Sequence, residues 1–152
     1  MTGTFFEPPS AATAEQAREV YDTNVFGVLT VTNAMLPVLR RSPAGRIVNV
    51  SSTVGSLTLN ADPSAGFGSY NLVTHQSSKA ALNALTVAYA RELRNTPIKV
   101  NTANPGFTAT DMNGHRGHRT VEQGAVTAVR LALLGADGPT GTSQDDTGTV
   151  PW

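Results

Sequence analysis

Apolar residues recur at near-helical spacing through Ala17, Val20, Tyr21, Val28, Ala34, Met35 and Val38. Ahead of them Thr13 and Gln16 have the form of a capping box, so the pattern predicts a long helix from about Ala14 to Arg40. Gly27 lowers helix propensity by about 1 kcal/mol relative to alanine and Pro37 removes a backbone donor, so bending is expected near one or the other. Ser42-Pro43-Ala44-Gly45 is a stop signal. The run that follows, Arg46-Ile47-Val48-Asn49-Val50-Ser51, is β-branched without in/out alternation and predicts a strand buried on both faces.

From Ser52 to about Thr74 the chain is rich in Gly, Ser, Asn and Pro with no period, the pattern of a long functional or disordered loop. A second helix is predicted from about Gln76 to Arg94, with Ala81, Leu82, Leu85, Ala88, Tyr89 and Leu93 as its apolar stripe. Ile98-Lys99-Val100-Asn101 reads as a second buried strand running into the turn Asn104-Pro105-Gly106. Thr120 and Gln123 repeat the capping box and open a third helix, expected to reach Leu134 and to end on Gly135 in the left-handed region. Residues 136–152 read as a flexible, Gly-rich tail with at most one short edge strand, and Gly3 to Pro9 as a disordered end.

Helix, strand, helix, strand, helix is the alternation of an α/β, doubly wound parallel sheet. Two clear strands and one doubtful one fall short of the usual open sheet of about six. The expectation is therefore a single incomplete domain over 1–152: a truncated Rossmann-like sheet, its last two or three strands with flanking helices.

Composition narrows the function classes. Eleven Lys and Arg balance eleven Asp and Glu, and only 14% of residues are charged, so no basic face is available for nucleic acid. No segment approaches the ~20 apolar residues of a membrane span, cysteine is absent, and the first nine residues are not expected to act as a leader. A cytoplasmic protein acting on a small molecule is the expectation. His115 and His118 lack a third ligand beyond Asp111, so a metal is not expected there, and a loop covering substrate is the better reading.

Four stretches, in order, carry the chemistry. They are Asn24-Val25-Phe26-Gly27, Gly45 to Ser52, Gln76-Ser77-Ser78-Lys79-Ala80-Ala81-Leu82-Asn83-Ala84-Leu85, and Asn104-Pro105-Gly106-Phe107-Thr108-Ala109-Thr110-Asp111. Together they resemble the short-chain dehydrogenase/reductase family, in particular its carbonyl-reductase-like members, over nearly the whole chain. The resemblance implies hydride transfer between a carbonyl or alcohol and NAD or NADP. It implies that Ser52 orients the substrate oxygen, Lys79 binds the cofactor ribose, and Asn24 helps to hold a proton-relay water. Pro105, Gly106, Thr108 and Thr110 would lie over the nicotinamide. It also implies a homo-oligomer formed through the helices at 14–40 and 76–94.

Two departures from the family pattern stand in the sequence. Four residues before Lys79, where the family carries the tyrosine that moves the proton, stands His75. A lysine nearby disfavours imidazolium. Tyr70 is nine residues from Lys79 and does not restore the spacing. The second departure is that no glycine-rich turn after a first strand is present to hold a pyrophosphate. Two readings follow: a carbonyl-reductase-like oxidoreductase of impaired activity, or a non-catalytic dimerisation or interaction module of the same descent. Neither the substrate nor the choice between NAD and NADP can be read from these residues.

Overall fold

The computed structural model describes residues 8–66 and 72–152. The expected disordered end falls almost entirely outside these, as does Tyr70. Thr13 caps the first helix as its capping box requires, its hydroxyl accepting from Gln16 N while Thr13 N donates to Gln16 Oε1. Helix α1 (Ala14–Tyr21) passes through a π turn at Asp22–Gly27 into α2 (Val28–Leu39) without leaving the helical path. The predicted irregularity is thus a π bulge ending at Gly27, where a Cβ would stand 3.1 Å from the Asp22 carbonyl oxygen. Pro37 is accommodated inside α2.

Strand β1 (Arg46–Val50) and β2 (Lys99–Ala103) pair in parallel, Arg46 opposite Lys99 through Val50 opposite Ala103. Helix α3 (Leu57–Ala61) and α4 (Val73–Glu92) lie between them in sequence, and α5 (Val121–Ala132) follows β2. Two short strands complete the sheet: β3 (Ser143–Gln144), parallel to β2, and β4 (Thr149–Val150), antiparallel to β3. The order is β1-β2-β3-β4. Helices cover both faces. Asn49 hydrogen-bonds Thr86 of α4 on one face, while its strand neighbours point oppositely, and Arg46 reaches the Leu134 carbonyl beyond α5 on the other.

The sheet and α4 enclose a core of Ile47, Tyr89, Leu93, Ile98 and Val100, against which Leu29, Leu36 and Leu39 of α1–α2 pack. Each such side chain removed from water contributes roughly 1.5–3 kcal/mol. At the carboxyl ends of the strands the layer under α4 turns polar. Asn49, Ser51, Thr102 and Asn104 are all buried there.

Several expectations are corrected. β1 is not buried on both faces: Ile47 and Asn49 are covered on the α4 side, but Val50, turned to the opposite face by the two-residue period, is 52% exposed at the strand's end. Residues 136–152 hold two strands rather than at most one, with Ser143, Gln144 and Val150 buried. The hairpin is invisible to hydrophobic pattern because backbone and Asp145 bonds build it: Asp145 Oδ1 accepts from Thr147 and Gly148. Helix α5 stops at Ala132 and Gly135 is not left-handed; the Leu133 amide closes the end on Val129 and Arg130. Within the expected loop after Ser52 stand two 3₁₀ turns and α3, and α4 begins at Val73, three residues early.

Candidate active site

Three chain segments converge where β1 ends. The first is the strand terminus itself. Ser51 is buried and its hydroxyl donates to Asn83 Oδ1 at 2.6 Å. Ser52, next in line, points to the other side; its Oγ receives only a long 3.4 Å bond from Val54 N and heads the turn Thr53–Gly55. Asn83 holds this turn as well, its Nδ2 donating to the Gly55 carbonyl at 3.3 Å.

The second segment is the first half of α4. Lys79 stretches back to the end of β1 and donates from Nζ to the Val50 carbonyl at 2.8 Å. Burial pulls its ammonium below the ordinary lysine range. Gly55 makes this approach possible, since a Cβ there would lie 2.7 Å from Lys79 Cβ and 3.0 Å from its carbonyl carbon. One turn earlier, His75 is lowered from 6.5 to about 4, first because it is buried and second because Lys79 is near. The sequence anticipated the lysine effect; the larger cause is desolvation, which spacing alone does not reveal. At pH 7 about one such imidazole in a thousand is protonated.

The third segment is the π turn. Asn24 Nδ2 donates to Ser78 Oγ at 3.0 Å, and Ser78, wholly buried, donates to the His75 carbonyl at 2.8 Å. Asn24 is thereby tied to the turn of α4 that carries both His75 and Lys79.

The turn after β2 is built separately. Gly106 adopts φ +72°, a conformation that favours glycine, and a Cβ on it would stand 2.7 Å from Arg119 Cδ. Arg119 runs beneath the turn and grips Asp146 through Nη2 at 2.7 Å and Nη1 at 3.1 Å. Its backbone also pairs with the turn, Ala109 N donating to Arg119 O at 2.9 Å and Arg119 N to Phe107 O at 3.2 Å. The Arg119 hydrogen bond holds the Asp146 carboxyl below its ordinary value. Pro105 is half-buried. Thr108 turns its hydroxyl back to the Pro105 carbonyl, with Gly124 packed against it. Thr110 stands at the head of the 3₁₀ turn Asp111–Asn113, where its amide donates to Asn113 Oδ1. In the adjoining loop His115 Nε2 meets Asp111 Oδ1 at 2.9 Å.

Asn24, His75 and Lys79 are thus joined through α4, and Lys79 reaches the strand that leads into Ser52. Pro105, Gly106, Thr108 and Thr110 share one turn at the same end of the sheet. Gly55 and Arg119 escaped the sequence reading, and Ser78 and Asn83 stood within its third stretch without a role. Each acts by close packing or by a hydrogen bond across tens of residues, and the glycine at 55 was the one local signal.

These residues fit one end of a nicotinamide dinucleotide: a half-buried amine, a serine hydroxyl that among the described residues accepts one long bond from Val54 N, and a glycine turn, all at the carboxyl ends of parallel strands. No segment of the chain offers the glycine-rich turn that a pyrophosphate requires.

Known proteins share this sequence pattern and fold. The sequence model of a family described as short chain dehydrogenase matches residues 3–120. A short-chain dehydrogenase of Penicillium roqueforti is 37% identical over 132 residues, covering 84% of this chain and 52% of the relative. Salutaridine reductase of Papaver bracteatum is 32% identical over 179 residues, covering 92% of this chain and 57% of the relative. Among solved structures, NADPH-bound carbonyl reductase from chicken fatty liver superposes with a TM-score of 0.81 at 25% identity, covering 100% of this chain and 61% of that one. Salutaridine reductase from Papaver somniferum gives 0.74 at 31% identity, with 91% and 60% covered. The chain therefore spans about half the length of the curated relatives it matches.

Proposed function

The chain belongs to the short chain dehydrogenase family of oxidoreductases, and from that premise we propose that it forms the substrate-side half of a carbonyl-reductase-like site that uses NADP or NAD. The observation that carries the reading is the Lys79 amine, half-buried at the end of β1 and one helical turn from His75. A bound nicotinamide dinucleotide supplies the hydride. Ser52 holds the carbonyl oxygen, its hydroxyl proton being uncommitted among the described residues. Lys79 is placed to bind the ribose hydroxyls, leaving the Val50 carbonyl to do so. Asn24, fixed by Ser78, holds the water that reaches the proton-transfer group. Pro105, Gly106, Thr108 and Thr110 take the nicotinamide side in this reading, which the turn they share supports.

His75 limits the reaction. Reduction needs a proton on the nascent alkoxide, and an imidazole at about 4 is almost all neutral at pH 7. Replacing it by tyrosine is expected to raise NADPH-dependent reduction of an aldehyde or diketone at least tenfold. A folded His75→Tyr chain with no gain would contradict the assignment of position 75 to proton transfer.

The same depressed imidazole favours a second reading, a family member that binds without turning over. Pairing of two copies through the 14–40 and 76–94 helices belongs to both readings, and the exposed Ala84, Val87 and Ala88 of α4 support it. A cytoplasmic location belongs to the proposal too. Among the described residues no helix is long and apolar enough to cross a membrane.

A further inference from the structure

Charges that cancel over the chain do not cancel over the fold. Helix α2 ends at Leu39 shortly before β1 begins at Arg46, and α4 ends at Glu92 shortly before β2 begins at Lys99. Both helix carboxyl ends and both strand amino ends therefore share one end of the molecule. Two contacts tie them together: Arg40 Nη2 lies 2.7 Å from Glu92 Oε1, and Arg46 Nη1 donates to the Pro97 carbonyl at 3.2 Å. Six of the eleven basic residues gather there, namely Arg40, Arg41, Arg46, Arg91, Arg94 and Lys99. The acids among them are Glu92, which Arg40 holds, and Asp137. Asp111, Asp145 and Asp146 stand in the turns that follow β2 and β3, at the opposite end.

Part of this cluster serves the fold itself. The carboxyl end of a helix favours cations, which accounts for Arg40 and Arg41 at the end of α2, where Arg41 donates to the Pro37 carbonyl, and for Arg91 in the last turn of α4. Arg46 spends its guanidinium on the carbonyls of Gly45, Pro97 and Leu134. Neither reason covers Arg94, exposed in the turn beyond α4, or Lys99 on its strand. Nor does either explain an apolar projection at the same end. Leu133, which closes α5, is 79% exposed, and Ala132, Gly135 and Ala136 around it are exposed as well. The bonds from Arg46 to the Leu134 carbonyl hold this turn against the start of β1.

We infer that this end of the molecule docks on an anionic lipid surface, where Arg91, Arg94 and Lys99 meet the headgroups and Leu133 passes below them to the acyl boundary. Cations at headgroup level beside an apolar side chain are the pattern of an interfacial anchor. Charge complementarity and the apolar tip together select this occupant. A nucleic acid would satisfy the cations but leave Leu133 in water, since its phosphates are outermost and no apolar layer lies within the reach of one side chain. The acids at the far end strengthen the orientation: a negative surface attracts the amino ends of the strands and repels Asp111, Asp145 and Asp146. The candidate site, at the carboxyl ends, then faces the solvent. The inference rests on the distribution of charge and exposure and is independent of the proposed catalysis.

The test is flotation of the 152-residue chain with phosphatidylcholine vesicles, prepared with and without phosphatidylserine, at low and at high salt. Binding is expected only where phosphatidylserine is present, and it should fall steeply as salt rises. Arg91→Gln, Arg94→Gln and Lys99→Gln together should weaken it by about fivefold for each charge removed. Leu133→Ser should weaken it about tenfold while leaving the salt dependence in place. Arg116→Gln, in the loop at the opposite end, should change nothing. If the triple variant does not melt cooperatively, Leu133→Ser and the salt dependence of the unaltered chain decide. Absence of binding overturns the inference, as do equal binding to vesicles of phosphatidylcholine alone, binding indifferent to the substitutions, or a tighter hold on duplex DNA or polyglutamate than on the charged vesicles.

Discussion

At His75, burial and the neighbouring Lys79 favour the neutral ring, so the folded state releases its proton at about 4 and the unfolded chain at 6.5. Between those values the unfolded chain binds more protons. Stability from this group is complete above pH 6.5 and is lost as the pH falls towards 4. With its partial exposure allowed for, the loss is on the order of 2 kcal/mol. Urea melts between pH 7 and 4.5 should show it, and His75→Gln should flatten the profile; an unchanged slope would place the imidazole in water. Thr102 tests the polar layer under α4. Its hydroxyl is fully buried with no hydrogen-bond partner among the described residues, so Thr102→Val should stabilise the fold by about 1 kcal/mol in the same assay. Gly55→Ala should cost about 1–3 kcal/mol, because the added methyl meets the backbone of α4 at Lys79 rather than a yielding side chain.

Among the elements, those with a strong period or cap were legible in sequence. The capping boxes at Thr13 and Thr120 and the β-branched run at 46–50 all stand where the pattern put them. What pattern could not show has a physical reason in each case. Strands β3 and β4 are two residues long and depend on Asp145 and Asn104 for their bonds, so they carry no hydrophobic period. The exposure of Val50 at the end of β1 follows from how the described elements pack around it, which no local sequence encodes. Resemblance to family motifs singled out Asn24, Ser52 and Lys79, and His75 only as a departure from one, whereas the hydrogen bonds of Ser78, Asn83 and Arg119 span distances that spacing does not register. The turn after β2 offers a test of that last point. Gly106→Ala suffers both a left-handed backbone and a clash with Arg119, at roughly 1–3 kcal/mol for the backbone alone. In a double-mutant cycle with Arg119→Ala the clash is removed, so the two losses should sum to more than the pair costs together. Strict additivity would show that Arg119 does not press on the turn.

For the whole molecule, an exposed apolar helix face is a surface that recruits a partner or aggregates. Val31 and Met35 are 62% and 46% exposed on α2, so charged substitutions at both should raise the solubility of the chain expressed alone; solubility unaffected by them would mean that this face is already covered. Under the proposed reading hydride transfer takes place at the carboxyl ends of β1 and β2, and every catalytic role then depends on a nicotinamide dinucleotide lodging against Lys79. The most direct measurement is a fluorescence titration with NADPH of the cooperatively melting chain and of its Lys79→Ala variant. The account predicts saturable binding that weakens at least tenfold when the amine is removed. A folded chain that shows no saturable binding, or one whose affinity is indifferent to Lys79, would contradict it.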